Sequence, residues 1–483
     1  MNPVPAIFLL FLVAVERVHG FGFRGFTFEG IDVTGSLKSR PSPMSLSKEW
    51  ITQPLDHFNH RDNRTWQMRY FENDEFFEGS GPILVMLGGE WAISWGFLSA
   101  GLMYDIAAEN KALMYYTEHR YYGHSRPTLD TSVPNLQFLN VDQALADVAY
   151  FIEAKKRERN LKNGTVIVFG GSYAGNMAAW ARLKYPHLIQ GALASSAPVF
   201  AKADFFEYYQ VVADSLGRYS QQCVRDVKSA FDSVEGLLSV EGGLKTLKKY
   251  FNLCKTPDVT VRNDLATFMV YLAEKFAAVV QFDGIVSRGT KISKICEDMT
   301  NVKLGSPLER LAKVARPTDE CLEVDYKRFL EKFADVSWAS PAAASSTRQW
   351  LYQTCTEYGY YQTSNSNRSI FGTLFPLEYF LDMCADLYGN YYDRPALEFG
   401  IERTNIMYGG WIPEVTNVIF TNGNVDPWHS LSILEDLNDS SPAIIVNGTS
   451  HCVDLMPDSD SDLEELTQAR SKVREIIGRW IIS

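Results

Sequence analysis

Thr165-Val166-Ile167-Val168-Phe169-Gly170-Gly171-Ser172-Tyr173-Ala174-Gly175 is the stretch on which the reading of this chain turns. Five residues rich in β-branched side chains predict a buried strand. A glycine-flanked serine follows, and then an alanine-rich segment that Pro186 closes, as a helix would be closed. Strand, tight turn carrying a serine, and helix make the setting of a nucleophile elbow, which lifts a serine Oγ above the edge of a sheet. The usual pattern is G-x-S-x-G. Here Ala174 stands at the last position in place of glycine, which still fits sterically.

Outward from the elbow, the same style of element recurs. Pro82 to Leu87 is a short apolar run ending at Gly88-Gly89, and Ala112 to Tyr116 is another. Val141 to Glu158 has helical spacing, with Ala144, Leu145, Val148 and Ile152 on one face. Gly191 to Ser195, Asn417 to Thr421 and Ala443 to Val446 read as further strands, and Leu463 to Ile482 as a closing amphipathic helix. Strands alternating with helices predict a parallel sheet. Between 204 and 400 no strand series is evident, helical patterns dominate, and six of the 7 cysteines fall there. The fold class expected is therefore α/β, an α/β-hydrolase core interrupted by a mainly helical, disulfide-bearing cap. The core would span 46–203 and 401–483, and the cap 204–400.

A serine nucleophile needs a base, and the base needs an orienting carboxylate. In this architecture the chain order is serine, acid, histidine. His57, His60, His119 and His124 precede the serine, and His187 lies at the far end of the elbow helix. His451 follows the strand ending at Val446, and Asp426 follows the strand ending at Thr421. Both sit at strand C-terminal ends, the edge where open α/β sheets collect their chemistry. Ser172, Asp426 and His451 are the expected nucleophile, acid and base. His429 reads as a pocket or packing residue, and Asp454 as too close in sequence to orient His451. The oxyanion would meet the Tyr173 N–H and donors from Gly89 and Glu90.

Composition limits the alternatives. The 483 residues carry 58 Asp and Glu against 46 Lys and Arg, a net charge of -12, which argues against nucleic acid as a partner. It suits an acidic compartment. Residues 1–20 read as a secretory signal peptide, with an apolar run from Ala6 to Val15, and no later segment is apolar enough to span a membrane. Sequons at Asn63, Asn163, Asn367, Asn438 and Asn447 point the same way, toward a glycosylated, secreted or lysosomal protein. No CxxC pair suggests a metal site. No metal or cofactor is implied. An oxidising compartment favours three disulfides and one remaining thiol.

Several longer motifs then agree together. Glu118-His119-Arg120-Tyr121-Tyr122-Gly123-His124-Ser125, Gly171 to Gly175, Arg348 to Glu357, Asp426-Pro427-Trp428-His429 and Ser450-His451-Cys452 occur in this order. From about Trp50 onward the chain resembles the serine peptidase family of lysosomal Pro-X carboxypeptidase and dipeptidyl peptidase II, and within it the thymus-specific branch. The resemblance implies a helical cap over an α/β-hydrolase core, the roles given above for Ser172, Asp426 and His451, and exopeptidase action on short peptides. It implies the disulfides Cys223–Cys296, Cys254–Cys321 and Cys355–Cys384, which leave Cys452 as the free thiol; the apolar neighbours Val453 and Leu455 favour its burial. A fourth bridge of the family has no cysteine here, near Phe205 at one end and Thr363-Ser364 at the other.

The departures concern specificity. Proline-specific members of the family carry methionines where this chain has Asn176 and Tyr360, and a second histidine where it has Cys452. Glu90 is followed by Trp91 where relatives have glycine. Trp428, with Asn176 and Tyr360, is expected to wall the acyl-side pocket, which would take proline or another small apolar residue. The partner expected is a short peptide, with a homodimer left open. Two other readings remain: a catalytically inert hydrolase-fold protein that binds peptides or mediates adhesion, and an esterase.

Overall fold

The computed structural model describes residues 46–284, 291–317 and 320–482. The expected signal peptide lies outside them. Ten strands are present among the described residues: β1 Leu46–Pro54, β2 Thr65–Asn73, β3 Ile83–Leu87, β4 Leu113–Thr117, β5 Val166–Gly171, β6 Gly191–Ser195, β7 Lys202–Asp204, β8 Gly359–Tyr361, β9 Val418–Gly423 and β10 Ala443–Val446. Eight form one sheet in the order β1-β2-β4-β3-β5-β6-β9-β10. From β4 to β10 every neighbour is parallel. Residues of β3, β4, β5 and β6 are all buried, as expected of strands covered on both faces. The helices Leu102–Asn110 and Glu464–Ile482 pack together against the sheet, as do Val141–Glu158 and Tyr173–Lys184. Trp480 lies so close over Gly191 that a Cβ there would come within 2.3 Å of its ring.

The purely parallel expectation needs correction at one edge. β1 pairs antiparallel with β2, and β2 antiparallel with β4. β2 hides its pattern because its charged residues are buried rather than alternating toward solvent. Arg69 pairs with Glu118 and Glu72 with Arg159, and both Arg69 and Glu72 lie below one-tenth exposure. A second correction concerns the insertion. β7 and β8 make a separate two-stranded parallel sheet, each only three residues long and too short to leave a periodic signal.

Between β6 and β9 the chain is mostly helical, including Glu207–Tyr219, Gln221–Leu238, Arg262–Gln281, Thr347–Gln353, Leu377–Tyr388 and Arg394–Tyr408. Three disulfides tie it together: Cys223–Cys296, Cys254–Cys321 and Cys355–Cys384. This is the pairing that the resemblance implies. The ends of the missing fourth bridge still meet. The Phe205 N–H donates to the Tyr361 carbonyl at 2.8 Å, Thr363 Oγ1 bonds Asp204, and Asn365 Nδ2 reaches Asp204 Oδ2 at 2.9 Å. Hydrogen bonds around β7 and β8 hold what a covalent link would otherwise hold.

A crosslink stabilises mainly by restricting the unfolded chain. Cys254–Cys321 closes a separation of 67 residues. Replacing both cysteines by alanine is expected to lower the unfolding free energy by about 2–5 kcal/mol, read from denaturant midpoints. An unchanged midpoint would show that the bridge adds no net stability through the unfolded chain.

Candidate active site

Ser172 sits between β5 and the helix Tyr173–Lys184 with φ 59° and ψ -133°, outside the regions a serine ordinarily adopts. Such a backbone costs on the order of 1–3 kcal/mol and persists only where its surroundings hold it. The Ser172 N–H donates to the Ser195 carbonyl at 2.9 Å, and the Ser172 carbonyl accepts from the N–H of Gly175 at 2.8 Å. The turn is so tight that a Cβ on Gly170 would fall 2.0 Å from the Ala174 carbonyl oxygen, so glycine is required there.

Asp426 follows β9 and caps the short helical turn Pro427–Leu431, accepting the Trp428 N–H at 3.0 Å on Oδ1. Its Oδ2 accepts from His451 Nδ1 at 2.8 Å. Both side chains are fully buried. With the proton on Nδ1, Nε2 is the basic atom. Burial alone lowers the imidazole pKa, but the Asp426 carboxylate, with a smaller contribution from the adjoining Cys452, outweighs it and holds it well above its ordinary value. Ser172 and Trp428 line one small cleft with Glu90, Tyr173, Pro198, Trp350 and Tyr360. The Trp428 ring in turn lies 6.4 Å from the His451 ring.

The end of β6 ties these pieces together. Ser195 Oγ donates to Asp454 Oδ1 at 2.5 Å, and Thr421 Oγ1 to Asp454 Oδ2 at 2.7 Å. The Cys452 N–H donates to Ser196 Oγ at 2.9 Å. Asp454 therefore fastens the histidine loop to β6 and β9 without touching the imidazole. His429, set aside as a pocket or packing residue, bonds through Nδ1 to the Asp426 carbonyl at 2.6 Å.

Tyr173 carries the N–H expected to face the oxyanion, and its side chain is held by a buried polar network that the sequence reading missed. His119 Nδ1 lies 2.7 Å from the Arg120 carbonyl, which fixes the proton on that nitrogen. Nε2 then accepts from the Tyr173 hydroxyl at 3.0 Å. The Tyr173 oxygen accepts from Gln353 Nε2 at 3.1 Å and from the Tyr358 hydroxyl at 3.2 Å, while the Tyr122 hydroxyl donates to Gln353 Oε1 at 2.5 Å. Burial pushes the His119 pKa down to about 4, which keeps the ring neutral. His119 was set aside because it precedes the serine in sequence. The signal was present in the two motifs that contain His119, Tyr122 and Gln353.

The expected pocket residues divide. Trp428 and Tyr360 line the cleft. Asn176 is fully buried behind Tyr360, its Nδ2 donating to the Pro198 carbonyl at 3.0 Å and to the Tyr360 hydroxyl at 3.2 Å. The Tyr360 hydroxyl also bonds Pro198. The two departures from the proline-specific pattern thus form one hydrogen-bonded pair. On the opposite loop, Gly88 N–H donates to the Thr117 carbonyl at 2.8 Å, and a Cβ on Gly89 would come 2.6 Å from the Trp91 indole. Cys452 is the one free cysteine, and it is buried. Its Sγ points to the Ser195 carbonyl at 3.8 Å.

A strained serine after a parallel strand, with a buried histidine–aspartate pair in the loops after β9 and β10, is carried on an α/β-hydrolase fold. The family model described as serine carboxypeptidase S28 matches residues 53–473, and the chain belongs to that family. It is a serine peptidase. The mouse (Mus musculus) thymus-specific serine protease is 35% identical over 457 residues, covering 91% of this chain and 88% of its own length. The bovine (Bos taurus) lysosomal Pro-X carboxypeptidase is 30% identical over 475 residues, covering 92% and 90%. Among the described residues no helix is long and apolar enough to cross a membrane. The disulfides fit a protein of the secretory pathway.

Two predictions concern the acids and the thiol. Desolvation pushes Glu90 from 4.5 up to about 8 and Glu357 up to about 7. Both hold a proton in the folded chain at pH values where the unfolded chain has released it. His451, raised above 6.5, does the same. Between pH 6.5 and 8 the folded state therefore binds more protons, and stability falls as pH rises. Calorimetry should give a lower Tm at pH 8 than at pH 6.5, with a shallower slope in Glu357→Gln; a flat or rising Tm would contradict this. The second concerns Cys452. Because it is buried beneath the elbow, Cys452→Ser is expected to retain most activity, and iodoacetamide to inactivate the native enzyme slowly. Rapid loss with Ser172 unmodified would make the thiol part of the chemistry.

Proposed function

We propose that the chain is a serine exopeptidase acting on short peptides through Ser172, His451 and Asp426. Ser172 Oγ attacks the scissile carbonyl while its proton passes to His451 Nε2. The imidazolium delivers that proton to the departing amine, and the carbonyl carbon remains bonded to Oγ as an acyl-enzyme. Water, deprotonated by the same nitrogen, then releases the acid. Asp426 holds the tautomer and stabilises the imidazolium. The Tyr173 N–H, with the backbone of Gly89 and Glu90, faces the oxyanion, each donor supplying roughly 2.7–4 kcal/mol in the transition state. The observation that carries this reading is the fully buried 2.8 Å His451–Asp426 bond at the sheet edge that also bears the strained Ser172.

The helical insertion between β6 and β9 serves as the cap, since Trp350 and Tyr360 come from it to line the cleft. A cap of that kind admits chain ends and excludes folded loops. Trp428, Pro198 and Tyr360 make an acyl-side pocket suited to a small apolar residue, proline among them. The five sequon asparagines are all solvent-exposed and suited to glycans. Secretion or delivery to a lysosome accords with the raised acids, which favour the folded state on the acid side.

Ser172→Ala tests the assignment. It should leave the circular dichroism spectrum unchanged, abolish labelling by a fluorophosphonate, and lower kcat by roughly 10⁴–10⁶. Peptidase activity retained in folded Ser172→Ala protein would remove Ser172 from the mechanism. An inert scaffold would show no labelling of the native protein.

A further inference from the structure

Glu90 is a buried carboxyl that, among the described residues, is paired with no lysine or arginine. It is 4% exposed, follows Gly88-Gly89 at the end of β3, and lines the cleft beside Ser172. Its Oε2 has no hydrogen-bond partner. Desolvation dominates its environment, opposed by its own backbone N–H and by the His451 imidazole. Buried polar groups are ordinarily satisfied, and one left open in a catalytic cleft calls for an explanation.

A structural role does not supply that explanation. The loop is fixed without the carboxyl: the Gly88 N–H is taken by Thr117, and the Trp91 indole covers Gly89 and donates to the Tyr116 hydroxyl at 2.8 Å. Nor does the triad require it, since Asp426 already occupies His451 Nδ1. What remains is a ligand. An uncompensated acid in a desolvated cleft is complementary to a cation. The remaining six lining residues are Ser172, Tyr173, Pro198, Trp350, Tyr360 and Trp428, and none is basic. A substrate carboxylate would find no countercharge among them and would meet the carboxyl of Glu90.

We propose that Glu90 receives the free α-ammonium group of the substrate, so that the enzyme works from the amino end of a peptide and releases a short amino-terminal fragment. This rests on the serine peptidase reading above and adds its direction. Glu90 shares its cleft with Trp428 and Tyr360, the acyl-side wall, so the cation it binds belongs to the acyl half of the substrate. The distance from ammonium to scissile carbonyl must fit within one small cleft, which limits the fragment to one or two residues. On binding, Glu90 releases its proton to solvent and forms an ion pair with the ammonium, which low dielectric strengthens. An N-acylated peptide offers only a neutral amide at that point.

The test compares matched peptides with free and acetylated amino termini, with products identified by mass spectrometry. The native enzyme is expected to prefer the free-amino peptide by about 100-fold in kcat/KM, as for loss of one partner of a buried charge pair. Glu90→Gln should narrow the ratio of kcat/KM between the free-amino and acetylated peptides from about 100 toward one, while a fluorophosphonate still labels its Ser172. Equal turnover of both peptides by the native enzyme would overturn the proposal, and needs no variant. So would an equal loss on both peptides in Glu90→Gln, which would assign the carboxyl to the loop or the imidazolium. Release of single carboxy-terminal residues would overturn it as well. Absence of both labelling and turnover in the native protein would instead refute the peptidase reading beneath it.

Discussion

The carboxyl end of β6 is the point on which the site depends. Ser195 and Ser196 are two adjacent, fully buried residues. The Ser195 carbonyl takes the N–H of Ser172 and so stabilises a backbone that is unfavourable by itself. The Ser195 hydroxyl reaches Asp454, which also accepts from Thr421 on β9. The Ser196 hydroxyl takes the N–H of Cys452, and the Ser196 N–H bonds the Thr421 carbonyl. The Ser172 turn, the strand β9 that leads to Asp426 and the His451 loop are thus all fastened to one dipeptide. That dipeptide is held in turn by parallel pairing with β5 on one side and β9 on the other.

The helical insertion is built into this arrangement and does more than cover it. Ser450 Oγ, next to His451, donates to the carbonyls of Val280 and Gln281 at 2.6 and 2.8 Å. These carbonyls lie at the end of the helix Arg262–Gln281, and the Gln281 carbonyl also accepts the His451 N–H at 3.3 Å. Gln353 and Tyr358 hold the side chain of Tyr173, and Tyr360 bonds Asn176 in the helix behind the nucleophile. The insertion therefore positions the His451 loop, Tyr173 and Asn176 together. Polar networks of this kind are costly when incomplete and rigid when satisfied. Rigidity is what a preorganised oxyanion site requires.

The core and the triad candidates were legible because their signals are local. A fully apolar strand next to a glycine-flanked serine needs no tertiary information to be read, and the chain order of serine, acid and histidine follows from how parallel strands present their ends. The helical character of the insertion and its cysteine content were legible for the same reason. The antiparallel β1–β2 edge was not, because Arg69 and Glu72 are buried with partners from distant segments and break the alternation that marks a half-exposed strand. β7 and β8 escaped because three residues hold no period.

The sequence by itself determined which residues could supply the chemistry and the order in which the sheet would present them. Tertiary structure alone decided what surrounds them. Whether Asp454 orients the histidine or anchors its loop depends on where Ser195 and Thr421 lie. Whether His119 is idle or holds Tyr173 depends on a contact across 54 residues. That Glu90 lines the nucleophile's cleft with an unpartnered oxygen depends on which residues close around it. The physical reason is the same in each case. Side-chain type is encoded residue by residue, but hydrogen-bond partners and desolvation are set by segments far apart in the chain, and they exist only once the sheet and its insertion have packed.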